Sequence, residues 1–256
     1  MAYEHVLVDR EGSYTTITMN RPKRRNALSL GHMRELRAAF REVAETDALG
    51  VVLAGSGPVF SAGHDFADMV DADYAAVREL LVVCTDLMRT IEDVPQVVVA
   101  RVHGLATAAG CQLAASCDLA LAGESAGFCT PGGRGGWFCH TPSVAVARNI
   151  GRKRAAEMAL TGDVIDARTA YEWGLVNRVV PDDELEKAAL DLLQRATRGS
   201  PASKALGKRA LYAQLDRPEA DAYTYAIEVM AGSSQTPEAK EGMRAFLEKR
   251  HPKWPA

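Results

Sequence analysis

Little in this 256-residue chain marks a specialised class, and each shortage excludes something. The five cysteines, Cys84, Cys111, Cys117, Cys129 and Cys139, are odd in number and lack CxxC spacing. They read as reduced thiols, with neither a disulfide framework nor a metal site. No apolar run approaches the ~20 residues needed to cross a bilayer, so no membrane partner is expected. The opening residues, MAYEHVLVDREG, are acidic early and lack an apolar stretch, which predicts no signal or transit peptide and a cytoplasmic protein. The net charge of −3 offers no general attraction for nucleic acid, and no lysine-rich helix is evident. No Gly/Ser-rich linker or low-complexity tract separates a second folded domain. What remains, 47% hydrophobic and 25% charged residues, is the composition of an ordinary globular enzyme.

The chain is organised around Val102 to Asp118, VHGLATAAGCQLAASCD. An apolar run ends at His103-Gly104, small residues follow, and an apolar helical pattern begins near Leu113. Small side chains let another molecule approach the backbone closely. A helix start carries unpaired N–H groups and the positive end of the helix dipole. Such a corner suits an anion, or an oxygen that becomes anionic; it equally suits tight packing of a helix on a strand. A second corner is similar. Val51 to Ala54 runs into Gly and Ser, then Ser61-Ala62-Gly63-His64-Asp65, then a helical pattern. Two such corners can each offer one backbone N–H to a single carbonyl oxygen.

Elsewhere, alternation around Glu11-Gly12 predicts a hairpin from Glu4 to Asp9 and Tyr14 to Asn20. Helical periodicity covers Leu30 to Glu45, with Asn26 or Ser29 as cap, and Tyr74 to Glu92, stopped by Pro95. Val97 to Val102, Leu119 to Ala122 and Val176 to Val180 read as strands. Val144 to Leu160 reads as a helix broken near Gly151, Asp166 as the cap of a helix ending at Gly174, and four further helical stretches begin at Asp182, Pro201, Pro218 and Pro237. Strands alternating with helices give an α/β class. Phe128 to Pro142, FCTPGGRGGWFCHTP, reads as a long irregular loop holding aromatics, thiols and an imidazole.

These blocks together resemble the crotonase (enoyl-CoA hydratase/isomerase) superfamily. FSAGHDFADM is similar to its FxAGxDxxxM block, and HGLATAAGCQLAASCDLALAG to its NGxAxGGGxxLxxxCDxxxA block. The resemblance begins near NRPKRRNAL, continues through Met158 to Pro181 and covers almost the whole chain. The match is nearest to the enoyl-CoA hydratase domain-containing branch, on GHD, GCQLxASCD and FxTPG…FCxTP. The resemblance implies a spiral of ββα units over residues 1–195 and a C-terminal helical region, 196–256, used in homotrimers or dimers of trimers. It implies an acyl-CoA or enoyl-CoA substrate, with coenzyme A belonging to the substrate and no separate cofactor. By matched motifs, the backbone N–H groups of His64 and Ala109 hold the thioester oxygen. Asp65 is the acidic residue after the first donor, read as a structural cap. Phe66 and Ala67 line the coenzyme A channel. Many relatives carry a phosphate-binding lysine where this chain has Ala67, so Arg24, Arg25 or Lys253, the last from a neighbouring subunit, are the candidates for that part, and Ala27 beside them is expected to contact coenzyme A. Asp118, in the family's CD pair, is read as structural.

The acid/base pair departs from the family. Hydratases use two glutamates; here the matching positions are Gln112 and Gly132. Glutamine can hold a water by hydrogen bonds but cannot take its proton. Each positioned proton-transfer group is worth roughly 100- to 10,000-fold. His140 is the candidate replacement, with Cys129 or Cys139 beside it. Ordinary hydratase turnover is therefore in doubt, and a non-catalytic acyl-CoA-binding protein is the alternative. A serine peptidase on the related spiral is disfavoured, because Ala108 and Ala109 stand where its nucleophile is needed.

Overall fold

The structure, a computed structural model, describes residues 3–254. It opens with the antiparallel hairpin β1 (Val6–Glu11) and β2 (Tyr14–Met19), in register from Val6↔Met19 to Glu11↔Tyr14. Gly12 turns the chain with φ +58°, a conformation that favours glycine. Ser29 caps helix α1 (Leu30–Ala44), its Oγ accepting from the His32 N–H at 3.2 Å. Strand β3 (Gly50–Gly55), helix α2 (Tyr74–Asp93) and strand β4 (Val97–Val102) follow. A three-residue strand β5 (Leu105–Thr107) precedes α3 (Ala109–Ala115), and β6 (Leu119–Gly123) returns to the main sheet. Next come β7 (Gly127–Cys129), α4 (His140–Ile150), α5 (Arg152–Thr161), β8 (Ile165–Asp166), α6 (Ala167–Trp173) and β9 (Arg178–Val180). Helices α7 (Leu185–Ala196), α8 (Pro201–Leu215), α9 (Glu219–Ser233) and α10 (Pro237–Leu247) finish the chain.

The main sheet runs β1-β2-β3-β4-β6-β9, parallel from β2 onward. Its centre is covered on both faces, which is why β3 and β4 are runs of apolar residues and not alternating ones. Val51 and Leu53 face the core shared with α1 and α2, whereas Val52, Val99 and Leu121 face Leu185, Ala189 and Leu193 of α7. A Cβ at Gly50 would lie 2.5 Å from Leu193 Cδ1, so a larger residue there would displace that side chain of α7. A second sheet, β5-β7-β8, leads through β5 into the Ala108 corner.

Helix α8 is tied to the core by charge. The Lys208 ammonium, almost fully buried, pairs with Asp118 at 2.8 Å and donates to the Ile91 and Gln96 carbonyls at 2.9 Å each. Asp118 also accepts from the Val98 amide at 2.7 Å and the Tyr212 hydroxyl at 2.8 Å. This saturated carboxylate agrees with the structural part read for Asp118.

Most expected elements are present; α3 starts earlier, at Ala109, the segment after His64 is a single turn over Phe66–Asp68, and β8 is an added short strand. Strand β5 lies between β4 and the central helix; three residues are too short for a periodic signal. Phe128 and Cys129, expected in a loop, lie in β7. His140 to Pro142 are the first turn of α4, where proline is tolerated because its missing N–H has no intrahelical partner. Among the described residues no helix is long and apolar enough to cross a membrane.

Candidate active site

The two small-residue corners are stitched to one another. Ser61 bridges Ala106: its amide donates to the Leu105 carbonyl at 3.2 Å, and its carbonyl accepts from the Thr107 amide at 3.0 Å. A Cβ on Gly110 would lie 2.5 Å from the Ser61 carbonyl oxygen, and one on Gly63 would lie 2.9 Å from that of Thr107 and 3.2 Å from the Ala109 nitrogen. Glycine is thus required where the corners touch. Asn26, wholly buried, clamps the base of the first corner by donating to the carbonyls of Ser56, Val59 and Phe60 at 2.8–3.1 Å.

This stitching uses most amides of the first corner and those flanking the first turn of α3 in the second. The amides of Ala62 and Asp65 donate to the carbonyls of Arg25 and Leu28, and that of Gly63 to Ser61 Oγ. His64 pairs with Leu28 in a parallel bridge formed through its neighbours, so its own N–H points away from Leu28. In the second corner, the amides of Thr107, Ala108 and Gln112 go to the carbonyls of Ser61, Cys129 and Ala108. The amides of Ala109, Gly110 and Cys111, in the first turn of α3, have no acceptor among the described residues, and neither does that of His64. Ala108 adopts φ 51°, ψ −118°, a conformation that favours glycine and costs a side-chain-bearing residue about 1–3 kcal/mol.

The corners border a cavity of about 440 Å³. Lys23, Arg24 and Arg25 stand on one side, with Ala27, Ala62, His64, Asp65, Phe66 and Ala108. Leu81, Gly132, Trp137, Phe138, Cys139, His140, Thr141 and Pro142 form the other. Of the residues singled out from sequence, Arg24, Arg25, Ala27, His64, Asp65, Phe66, His140 and Cys139 are brought together here. Ala67, Ala109, Gln112, Cys129 and Lys253 are not in the lining. Ala67 is exposed, and Ala109 and Gln112 are buried. The Lys253 amide donates to Glu241 at 2.7 Å, remote from the cavity of its own chain.

Asp65 caps the short turn after it, accepting from the Ala67 amide at 3.3 Å. It is also an ion-pair centre, held by Arg24 at 2.8 Å and Arg21 at 3.2 Å. Burial tends to raise its carboxyl pKa, but these bonds outweigh burial and hold it below the usual carboxylate range. Arg24 is thereby positioned at the rim with over half its side chain exposed.

The opposite wall carries no carboxylate. A Cβ on Gly132 would lie 2.2 Å from the Trp137 carbonyl oxygen and 2.8 Å from Cys139 Sγ. The Gln112 side chain is buried with Oε1 unpaired among the described residues, as is Thr130 Oγ1. Cys139 Sγ accepts from the Gly132 amide at 3.3 Å, and burial pushes the thiols of Cys139 and Cys129 up, away from the thiolate a nucleophile needs. His140 is exposed at the cavity mouth, its ring 5.1 Å from that of Phe138.

Sequence reasoning placed Lys23 in the basic cluster by coenzyme A, but it did not assign Leu81 to the site or find the pairing of Arg21 with Asp65. It assigned His64 by its amide alone. The ring of His64 is buried, lies 6.1 Å from that of Trp137, and makes no hydrogen bond among the described residues. Only the crowding of unusual residues in Phe128 to Pro142 signalled that wall in advance.

The enoyl-CoA hydratase/isomerase family model matches residues 9–256. The mouse enoyl-CoA hydratase domain-containing protein 3, mitochondrial, is 41% identical over 242 residues, covering 93% of this chain and 80% of that protein. A probable enoyl-CoA hydratase of Rhizobium meliloti is 34% identical, with 98% and 97% covered. The crystal structure of a Mycobacterium smegmatis enoyl-CoA hydratase superposes with a TM-score of 0.94 at 43% identity, covering 98% of each chain. That of human enoyl coenzyme A hydratase domain-containing protein 3 gives 0.94 at 36%, covering 98% of this chain and 100% of that one. With the spiral, the paired corners and these relatives in agreement, the chain belongs to the enoyl-CoA hydratase/isomerase family, in the crotonase superfamily.

Proposed function

We propose that the cavity binds an acyl-CoA thioester, with the thioester oxygen accepting from the main-chain amides of His64 and Ala109. The observation that carries this reading is that the His64 amide and the first-turn amides of α3, Ala109 among them, lack acceptors beside the cavity, whereas those of Ala62, Gly63, Asp65 and Ala108 are paired. Charge that develops on the oxygen, as in an enolate, is then met by two fixed dipoles. Removing one such donor costs about 100- to 1,000-fold in rate. Arg24, Arg25 and Lys23 give cations at the rim for phosphate groups of coenzyme A, and Phe66 lies beside them. No metal or organic cofactor is needed for polarisation supplied by amides.

In this reading the reaction class is that of the enoyl-CoA hydratase/isomerase lyases, with little ordinary hydratase turnover. Gln112 holds a water without ionising it, and His140 carries protons between the cavity mouth and solvent. The crowding at Gly132 favours a second reading, an acyl-CoA-binding protein without turnover. Titration calorimetry with crotonyl-CoA, together with the fall of enoyl absorbance, separates the two. Binding with absorbance loss supports the enzyme, binding alone supports the second, and no binding removes both.

The assembly proposed is a homotrimer or dimer of trimers built on the C-terminal region, where Tyr223, Ile227, Met230, Phe246 and Leu247 are exposed. Sedimentation measures it. The five free thiols suit a reducing compartment, for which we keep the cytoplasm; the mitochondrial names of several relatives point to the mitochondrion instead, and cell fractionation decides.

A further inference from the structure

Two histidines are buried in this protein, and they differ in one respect. His32, on the buried face of α1, has its Nδ1 bonded to the Ala27 carbonyl at 3.1 Å, and its Nε2 is buried without a partner outside the cavity lining. His64 lines the cavity, its ring has no hydrogen bond among the described residues, and its Nε2 is buried without a partner. Buried polar atoms in native proteins are nearly always paired, so an unpaired ring at a cavity wall is a group prepared for a ligand. Trp137 lies against it, and Phe66 lies edge-on to Trp137 with centroids 6.3 Å apart. This aromatic shelf shields the ring from solvent.

We propose that the His64 imidazole, distinct from its amide, is the proton acceptor for the carbon adjacent to the thioester carbonyl. The proposal rests on the acyl-CoA reading above. One residue then supplies two functions: its amide holds the oxygen, and its ring stands beside the carbon bonded to that carbonyl. In the step, a ring nitrogen lone pair takes the proton. The C–H electron pair becomes the second bond of an enolate, and the negative charge settles on the thioester oxygen between the amides. The reverse step returns a proton to the same carbon. Nothing is oxidised or reduced, and no co-reactant is required.

The electrostatics suit the task. Burial alone pulls the His64 pKa down to about 4, so the ring is uncharged at neutral pH and keeps a free lone pair. Its basicity is then close to that of a glutamate, ordinarily about 4.3, the residue type absent at positions 112 and 132. A base this weak works because the amides lower the acidity gap by stabilising the enolate.

The test is deuterium exchange. The full chain is incubated with butyryl-CoA in D₂O, and label on the acyl chain is followed by mass spectrometry, with titration calorimetry in parallel. His64→Gln and His64→Phe keep the amide and remove the base. The wild type is expected to exchange one acyl position, and both variants to exchange at least about 100-fold more slowly. Affinity for butyryl-CoA should stay within about threefold in at least one variant, which also reports a folded pocket. Wild-type exchange should fall as pH drops towards the ring pKa of about 4. Undiminished exchange in a variant that still binds overturns the proposal, as does binding by the wild type without exchange. Absence of binding by the wild type overturns the acyl-CoA reading itself, and the calorimetric arm identifies that case.

Discussion

The two walls of the cavity are tied differently. The corner wall, Ser61 to Asp65 with Thr107 to Gln112, is stitched across the sequence: backbone bonds join Ser61 to Leu105 and Thr107, and Gly63 and Gly110 stand where the corners crowd. The facing wall, Thr130 to His140, is held by local turns, the amides of Arg134, Gly135, Trp137 and His140 donating to the carbonyls of Pro131, Gly132 and Phe138, with the Cys139 thiol accepting from the Gly132 amide. A wall stitched through its backbone keeps its amides in place when side chains change. A wall of local turns changes its chemistry with its sequence. The comparison teaches that the corner amides are placed by backbone pairing, whereas groups able to take up a proton depend on side-chain identity on both walls, His64 in the corners and His140 opposite.

The largest expected effect comes from prying the corners apart. Gly110→Ala places a methyl within 2.5 Å of the Ser61 carbonyl oxygen. Denaturant unfolding should show a loss of about 3 kcal/mol. Calorimetry should show at least about tenfold weaker acyl-CoA binding, equal to about 1.4 kcal/mol.

Next comes an attempt to return the facing wall to a carboxylate. Gly132→Glu meets the Trp137 carbonyl and Cys139 Sγ, but the exposed Gly133–Trp137 segment can give way in part. A loss of about 2 kcal/mol is expected, lowering Tm by about 4–8 °C. No gain in crotonyl-CoA hydration should accompany it. A large gain would show the wall to be less rebuilt than its packing implies.

Ala108→Gly acts in the opposite direction. Relief of the φ 51° conformation outweighs the extra backbone freedom of glycine in the unfolded chain. A gain of about 1 kcal/mol and a Tm higher by about 2–4 °C should appear by calorimetry, with the amides still in place.

The smallest effect is a pH dependence at the rim. Burial opposes ionisation of Asp65, yet Arg24, the Ala67 amide and Arg21 depress its pKa below 3.8. Stability from a depressed carboxyl is present above the unfolded pKa and is lost as pH falls through the folded value. Asp65→Asn should therefore be less stable than the wild type at pH 7, with the gap closing below about pH 4. A gap unchanged down to pH 2 would mean that the ion pairs contribute nothing.

The corner wall was legible in the sequence because its requirements are residue-specific. Glycine at 63 and 110 and small residues around them announce a close approach before any coordinates are known. Caps and breaks were legible for the same reason, as at Ser29, Asp166, Gly151 and Gly174. The facing wall was not, because its placement depends on contacts between distant residues. Leu81 reaches the cavity from the middle of α2, and nothing in its helical periodicity distinguishes it from core positions. The Arg21–Asp65 pair spans the sequence from the end of the hairpin to the first corner. The isolation of the His64 ring is likewise a property of what surrounds it. Strand β5 was missed because three residues carry no period, and β7 because the glycines after it dominate the composition.

A crystal structure of the protein with bound butyryl-CoA tests the central claim most directly. The thioester oxygen should lie about 2.7–3.1 Å from both the His64 and the Ala109 main-chain nitrogens. An acyl-CoA seated in the cavity with its thioester oxygen beyond about 3.5 Å from either nitrogen, outside hydrogen-bonding range, would contradict the account.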